Sequence, residues 1–97
     1  MDDGPVGIDV ETLRSIDDRA AHLFLSPEEE EVMRSCSIAT RLLHFWCAKE
    51  AVWKQLGGSI TTLKQVPLRL LDLTETALRF DRAETWSTDE VIVALTN

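Results

Sequence analysis

The sequence predicts an α+β fold, with one long helix and shorter helices packed on an antiparallel sheet of three or four strands. The run from Ile38 to Leu56 contains no Gly or Pro. It sets Ile38, Leu42, Phe45, Val52, Trp53 and Leu56 at three- and four-residue spacings, the apolar stripe of a single helix. Beyond Gly57 and Gly58 the pattern turns extended, with apolar and β-branched runs separated by turn residues.

Taken in order, Val6 to Glu11 opens as a short strand in which Val6, Ile8 and Val10 share one side and Gly7, Asp9 and Glu11 the other. By itself that alternation is what a half-exposed strand shows, apolar row inward and acids outward. Thr12 or Ser15 starts a short helix to about Leu23, with Asp17 and Asp18 in its first turn, where the helix dipole favours anions. Ser26-Pro27-Glu28-Glu29 is a second helix start, with a Ser cap, Pro at the first position and Glu three residues after the cap; it ends near Arg34. The long helix follows, capped by Ser37 and stopped at Gly57-Gly58. Strands are expected over Val66 to Leu73, Leu78 to Phe80, Glu84 to Ser87 and Val91 to Leu95.

With 97 residues, 44% of them hydrophobic, the chain is expected to form one domain with a modest core. No apolar run is long enough to span a membrane, and the first residues lack the basic and apolar regions of a secretory signal. A soluble, cytoplasmic protein is expected. Cys36 and Cys47 stand about three helical turns apart, roughly 16 Å, and are read as free thiols. The net charge is −7 and lies at the front: residues 1 to 31 carry ten acids against Arg14 and Arg19, the remainder seven acids against eight bases. That distribution argues against nucleic acid as a partner and leaves the acidic third as a solvated face or a cation site.

Two groups of residues bear chemistry. Asp9, Glu11 and Glu50 would form an oxygen-rich site suited to Mg²⁺ if strand and helix bring them together. Lys49 interrupts the apolar stripe, so its ammonium must either reach a cleft or pair with an acid such as Asp9 or Glu50. His44 and Cys47, three apart on the helix, have no second ligand pair nearby in sequence and are read as packing residues, as are Trp46, Trp53 and Trp86.

Gly7-Ile8-Asp9-Val10-Glu11, followed by Trp46-Cys47-Ala48-Lys49-Glu50-Ala51-Val52-Trp53-Lys54, resembles the paired signature of the 4′-phosphopantetheinyl transferases, G-I-D-x-E and W-x-x-K-E-x-x-x-K. Phe24-x-Ser26-Pro27-x-Glu29 is similar to the family's intervening segment. The resemblance implies Mg²⁺-dependent transfer of phosphopantetheine from coenzyme A to a serine of an acyl or peptidyl carrier protein. It implies Asp9, Glu11 and Glu50 as metal ligands and Lys49 and Lys54 as phosphate-binding and catalytic lysines, with Glu50 or a metal-ordered water taking the serine proton. Asp-x-Glu resembles the two-lobed class, of which residues 1–97 look like the second lobe alone, and the S-x-S-H motif of the family has no counterpart. A second lobe or a homo-oligomer is therefore expected to complete the coenzyme A cleft, with apolar groups such as Leu43, Trp46 or Trp86 exposed for pairing. The rival expectation is a non-catalytic binding or scaffolding module that kept the fold and the signature.

Overall fold

The structure, a computed structural model, describes residues 6–57 and 62–97. The opening residues Met1 to Gly4 and the second glycine of the expected helix stop, Gly58, lie outside the described residues. The fold is α+β, as expected, but its antiparallel sheet has five strands rather than three or four. These are β1 (Ile8–Thr12), β2 (Leu70–Leu73), β3 (Ala77–Phe80), β4 (Ala83–Ser87) and β5 (Val91–Thr96), in the spatial order β1-β5-β4-β3-β2. The additional strand is β1 itself. It leaves the meander's sequence order and docks on β5 with Asp9 opposite Ala94 and Glu11 opposite Ile92.

Two helices cover one face of this sheet. The first, α1 (Pro27–Ser35), starts as its sequence predicts: Ser26 accepts from the Glu29 amide, Glu29 accepts from the Ser26 amide, and Pro27 needs no donor partner at the first position. The second, α2 (Arg41–Gln55), is shorter at its start than the stripe suggests. Ser37 does not cap it, because residues 36–40 form the elbow between the helices. Ile38 is buried there, and Arg41 ties the elbow by donating to the carbonyls of Arg34 and Cys36 and pairing with Asp18 at 2.7 Å. Gly57, at φ +70°, ends the helix in the left-handed conformation that glycine adopts without a Cβ clash. The helix expected to start at Thr12 or Ser15 is only a 3-10 turn over Asp18–Leu23, capped by Asp17. Val66 to Leu68 lead into β2 without joining the sheet, after a 3-10 turn at Leu63–Gln65.

The core lies between α2 and the sheet. Phe45 meets Phe80 edge-to-face at 5.0 Å, with Leu78, Val52, Met33 and Leu25 buried around them; each such side chain contributes about 1.5–3 kcal/mol by leaving water. A smaller cluster sets Leu43, Cys47 and Ala51 of α2 against Ile92 and Ala94 of β5. Cys47 and Ala51 are small, which lets the second half of α2 approach β1 and β5 closely. Leu43 is thus buried rather than exposed, and Trp46 is half-buried against Phe24 at 4.9 Å, while Trp86 lies exposed on the other side of the sheet. Cys36 and Cys47 are free and buried.

Candidate functional site

Strand β1 is inverted relative to the usual alternation. Ile8 and Val10 are 54% and 56% exposed, whereas Asp9 is 6% exposed and turned toward α2. The register explains how. Asp9 and Glu11 stand opposite Ala94 and Ile92, which face the helix, while Ile8 and Val10 stand opposite Leu95 and Val93 on the uncovered face. Gly7 makes the arrangement possible, since a Cβ there would overlap the Ala51 carbonyl oxygen and come within 2.7 Å of its carbon. Its backbone is locked to β5, the amide donating to Thr96 Oγ1 and the carbonyl accepting from the Thr96 amide.

This close approach sets Asp9 against the second half of α2. Lys54 Nζ donates to Asp9 Oδ1 at 2.9 Å and to the Ile8 carbonyl at 3.1 Å. Cys47 Sγ donates to the Asp9 carbonyl at 3.3 Å, and burial together with the Asp9 charge pushes its thiol well above the usual cysteine range, so Cys47 is no nucleophile. Glu11 is paired with Arg14 at 3.1 Å. Glu50 lies one turn before Lys54 and takes part in no ion pair among the described residues. Its carboxyl is held above the ordinary carboxylate range, first by burial and then by the Asp9 charge, against the pull of Lys54 and with a further push from Glu11. The three predicted carboxylates therefore share one field.

No three His, Cys, Asp or Glu side chains among the described residues are grouped tightly enough to make a ligand set as they stand, and Lys54 and Arg14 each hold one oxygen of Asp9 and Glu11. Yet Asp9 Oδ2 is buried without any hydrogen-bond partner. A desolvated, unpartnered carboxylate oxygen beside a second carboxylate with a raised pKa is an arrangement that a hard divalent cation fits, being an all-oxygen donor set short of positive charge.

Lys49 stands apart from these residues. Its ammonium is fully buried and pairs neither with Asp9 nor with Glu50, as the apolar stripe had suggested it could, but with Glu29 Oε1 at 2.8 Å and the Val66 carbonyl at 2.6 Å. Burial pushes it below the usual lysine range, opposed by the Glu29 carboxylate. In the sequence Glu29 reads as a cap residue within the Phe24-x-Ser26-Pro27-x-Glu29 segment, and that spacing carries no sign of a partner twenty residues on. Arg14 likewise reads in the sequence only as a charge. Besides pairing with Glu11 it lines, with Leu13, Ile16, Thr40 and Leu42, a cavity of about 350 Å³ at the start of α2.

A family model described as the 4′-phosphopantetheinyl transferase superfamily matches residues 5–96. No curated protein matches the chain. The match spans both signature segments and all five strands. None of the described helices is long and apolar enough to cross a membrane.

Proposed function

The chain belongs to the 4′-phosphopantetheinyl transferase superfamily, a family of transferases, and on that premise we propose that it moves 4′-phosphopantetheine from coenzyme A to a serine of an acyl or peptidyl carrier protein in the cytoplasm. The observation that carries this reading is the buried, unpartnered Oδ2 of Asp9 in the shared field of Glu11 and Glu50. Asp9, Glu11 and Glu50 would hold Mg²⁺, which when bound neutralises pyrophosphate charge as the leaving group departs. Lys54, half-exposed at the lip of the site, donates to the phosphates once it is released from Asp9. Glu50, or a water ordered at the site, accepts the proton from the serine hydroxyl. The serine oxygen forms a bond to the phosphorus bearing pantetheine, the bond from that phosphorus to the bridging pyrophosphate oxygen breaks, and adenosine 3′,5′-bisphosphate leaves. A second lobe or a second copy completes the cleft, a need supported by the uncovered apolar row of Ile8, Val10, Trp86 and Leu95 on the sheet's far face. On this reading residues 1–97 are one phosphopantetheinyl-transferase lobe.

One observation favours the rival reading of a non-catalytic binding or scaffolding module: Lys54 already neutralises Asp9, as a metal-free structural pair would. Intact-mass measurement on a panel of apo carrier proteins incubated with the chain, coenzyme A and Mg²⁺ separates the two. Addition of a phosphopantetheinyl group that depends on Mg²⁺ and is lost in Glu50→Gln supports the transferase. No addition to any carrier, with or without a supplied first lobe, overturns it.

A further inference from the structure

Three segments of chain meet at the Lys49 ammonium. Glu29 belongs to the first turn of α1, Val66 precedes β2, and Lys49 sits in the middle of α2. Glu29 Oε1 also accepts from the Ser26 amide at 2.8 Å, so one carboxylate oxygen closes the cap of α1 and clamps α2 to it. The ammonium is 0% exposed and both of its acceptors are in place. A phosphate could reach it only by breaking this pair.

The clamp has a directional consequence. At about 100° per residue, Glu50 lies roughly 100° around α2 from Lys49, and Lys54 about 140°. Lys49 therefore grips α2 from the α1 side, Lys54 grips it from the β1 side through Asp9 and the Ile8 carbonyl, and Glu50 falls between them. Rotation of α2 about its own axis is what would swing Glu50 away from Asp9, and the two lysines oppose that rotation from different flanks. We propose that Lys49 is a positioning residue, acting with Glu29 and the Val66 carbonyl to hold α2 in the rotation that aims Glu50 at Asp9, and is not a ligand of the phosphates. The inference rests on the functional reading above, since it assigns Glu50 to a metal site.

The test compares Lys49→Met, Glu29→Gln and the double variant with the parent by Mn²⁺ binding (electron paramagnetic resonance) and by coenzyme A binding in EDTA (calorimetry), with circular dichroism to establish folding. Gln at position 29 retains an oxygen for the Ser26 amide, and the double variant leaves no buried charge, so the set stays readable if Lys49→Met alone does not fold. Both single variants are expected to weaken Mn²⁺ binding about tenfold, the effect typical of losing an outer support of a metal ligand, with coenzyme A affinity within about twofold of parent and the double variant no worse than either single. Loss of coenzyme A affinity in Lys49→Met but not in Glu29→Gln overturns the proposal in favour of a phosphate ligand. Parental Mn²⁺ binding in both single variants overturns it too. A parent that binds no Mn²⁺ refutes the metal site itself, and the positioning role with it.

Discussion

Replacing Gly7 with Ala tests the packing that creates the site. The added Cβ overlaps the Ala51 carbonyl oxygen, lies 2.7 Å from its carbon and 3.0 Å from the Gln55 nitrogen, all backbone atoms that no rotamer change can move. Carbon atoms sit comfortably at about 3.5–4.0 Å, so β1 and α2 must separate by roughly 1 Å or more. The strand cannot retreat freely, because Gly7 is bonded through both its amide and its carbonyl to Thr96. Overpacking of this kind costs about 1–3 kcal/mol, and at about 4–8 °C per kcal/mol for a domain of this size a cost near 2 kcal/mol lowers Tm by about 8–16 °C. The same shift moves Asp9 on β1 away from Glu50 on α2, so metal binding should weaken more than stability alone explains. Thermal unfolding followed by circular dichroism, with and without Mg²⁺, gives both numbers. Gly7→Ala combined with Ala51→Gly should melt no higher than Gly7→Ala, since the obstacle is a main-chain carbonyl. A Gly7→Ala variant melting within about 2 °C of parent would refute the claim that close approach is why a glycine stands there.

Glu50→Gln should raise the metal-free Tm slightly by removing a carboxylate whose ionisation is opposed in the fold, and should abolish the Mg²⁺-induced rise; an unchanged Mg²⁺ response removes Glu50 from the site. Because the folded pKa of Glu50 is raised, this group favours the folded state below its unfolded pKa and loses that contribution as pH rises through the folded value. The Mg²⁺-induced rise should therefore grow with pH across the carboxylate range, and a pH-independent rise contradicts the assignment. His44 is fully buried with Nδ1 on Thr85 Oγ1 at 2.7 Å, and burial lowers its pKa from 6.5 to about 4. Its neutral form stabilises the fold above 6.5, and that contribution is lost as pH falls, about 2 kcal/mol by pH 4.5; urea titrations at pH 7 and 4.5 should show His44→Gln losing correspondingly less than the parent. On the exposed sheet face, Val10→Lys should reduce any concentration-dependent association seen by light scattering without lowering Tm by more than a few degrees, whereas a buried-core response would contradict its exposure.

What the sequence made legible was local. Capping at Ser26 and Glu29 reads directly, because the capping box is complete within four residues. The helical stripe from Leu42 to Val52 reads from its period, and β3, β4 and β5 read from β-branched and apolar runs closed by turn residues. The start of α2 misreads because Ser37 is as good a local cap as any; only the competing use of Ile38 as a core plug and of Arg41 as the tie of the elbow moves the helix start to Arg41.

The paired motifs placed the carboxylates on β1 and α2 by sequence alone, since a motif carries residue types and spacing. Which side of β1 faces inward was decided by tertiary structure. Alternation is symmetric, and local pattern favours burying the apolar row Val6, Ile8 and Val10; the register with β5 and the close approach at Gly7 turn Asp9 toward the helix instead. The fate of Lys49 was likewise undecidable from the helix that carries it. A lysine in an apolar stripe needs a counterion, and the one it has is Glu29, brought from another helix by the packing of α1 on α2. Local periodicity fixes which groups share a face; only the packing of distant segments fixes what each group meets there.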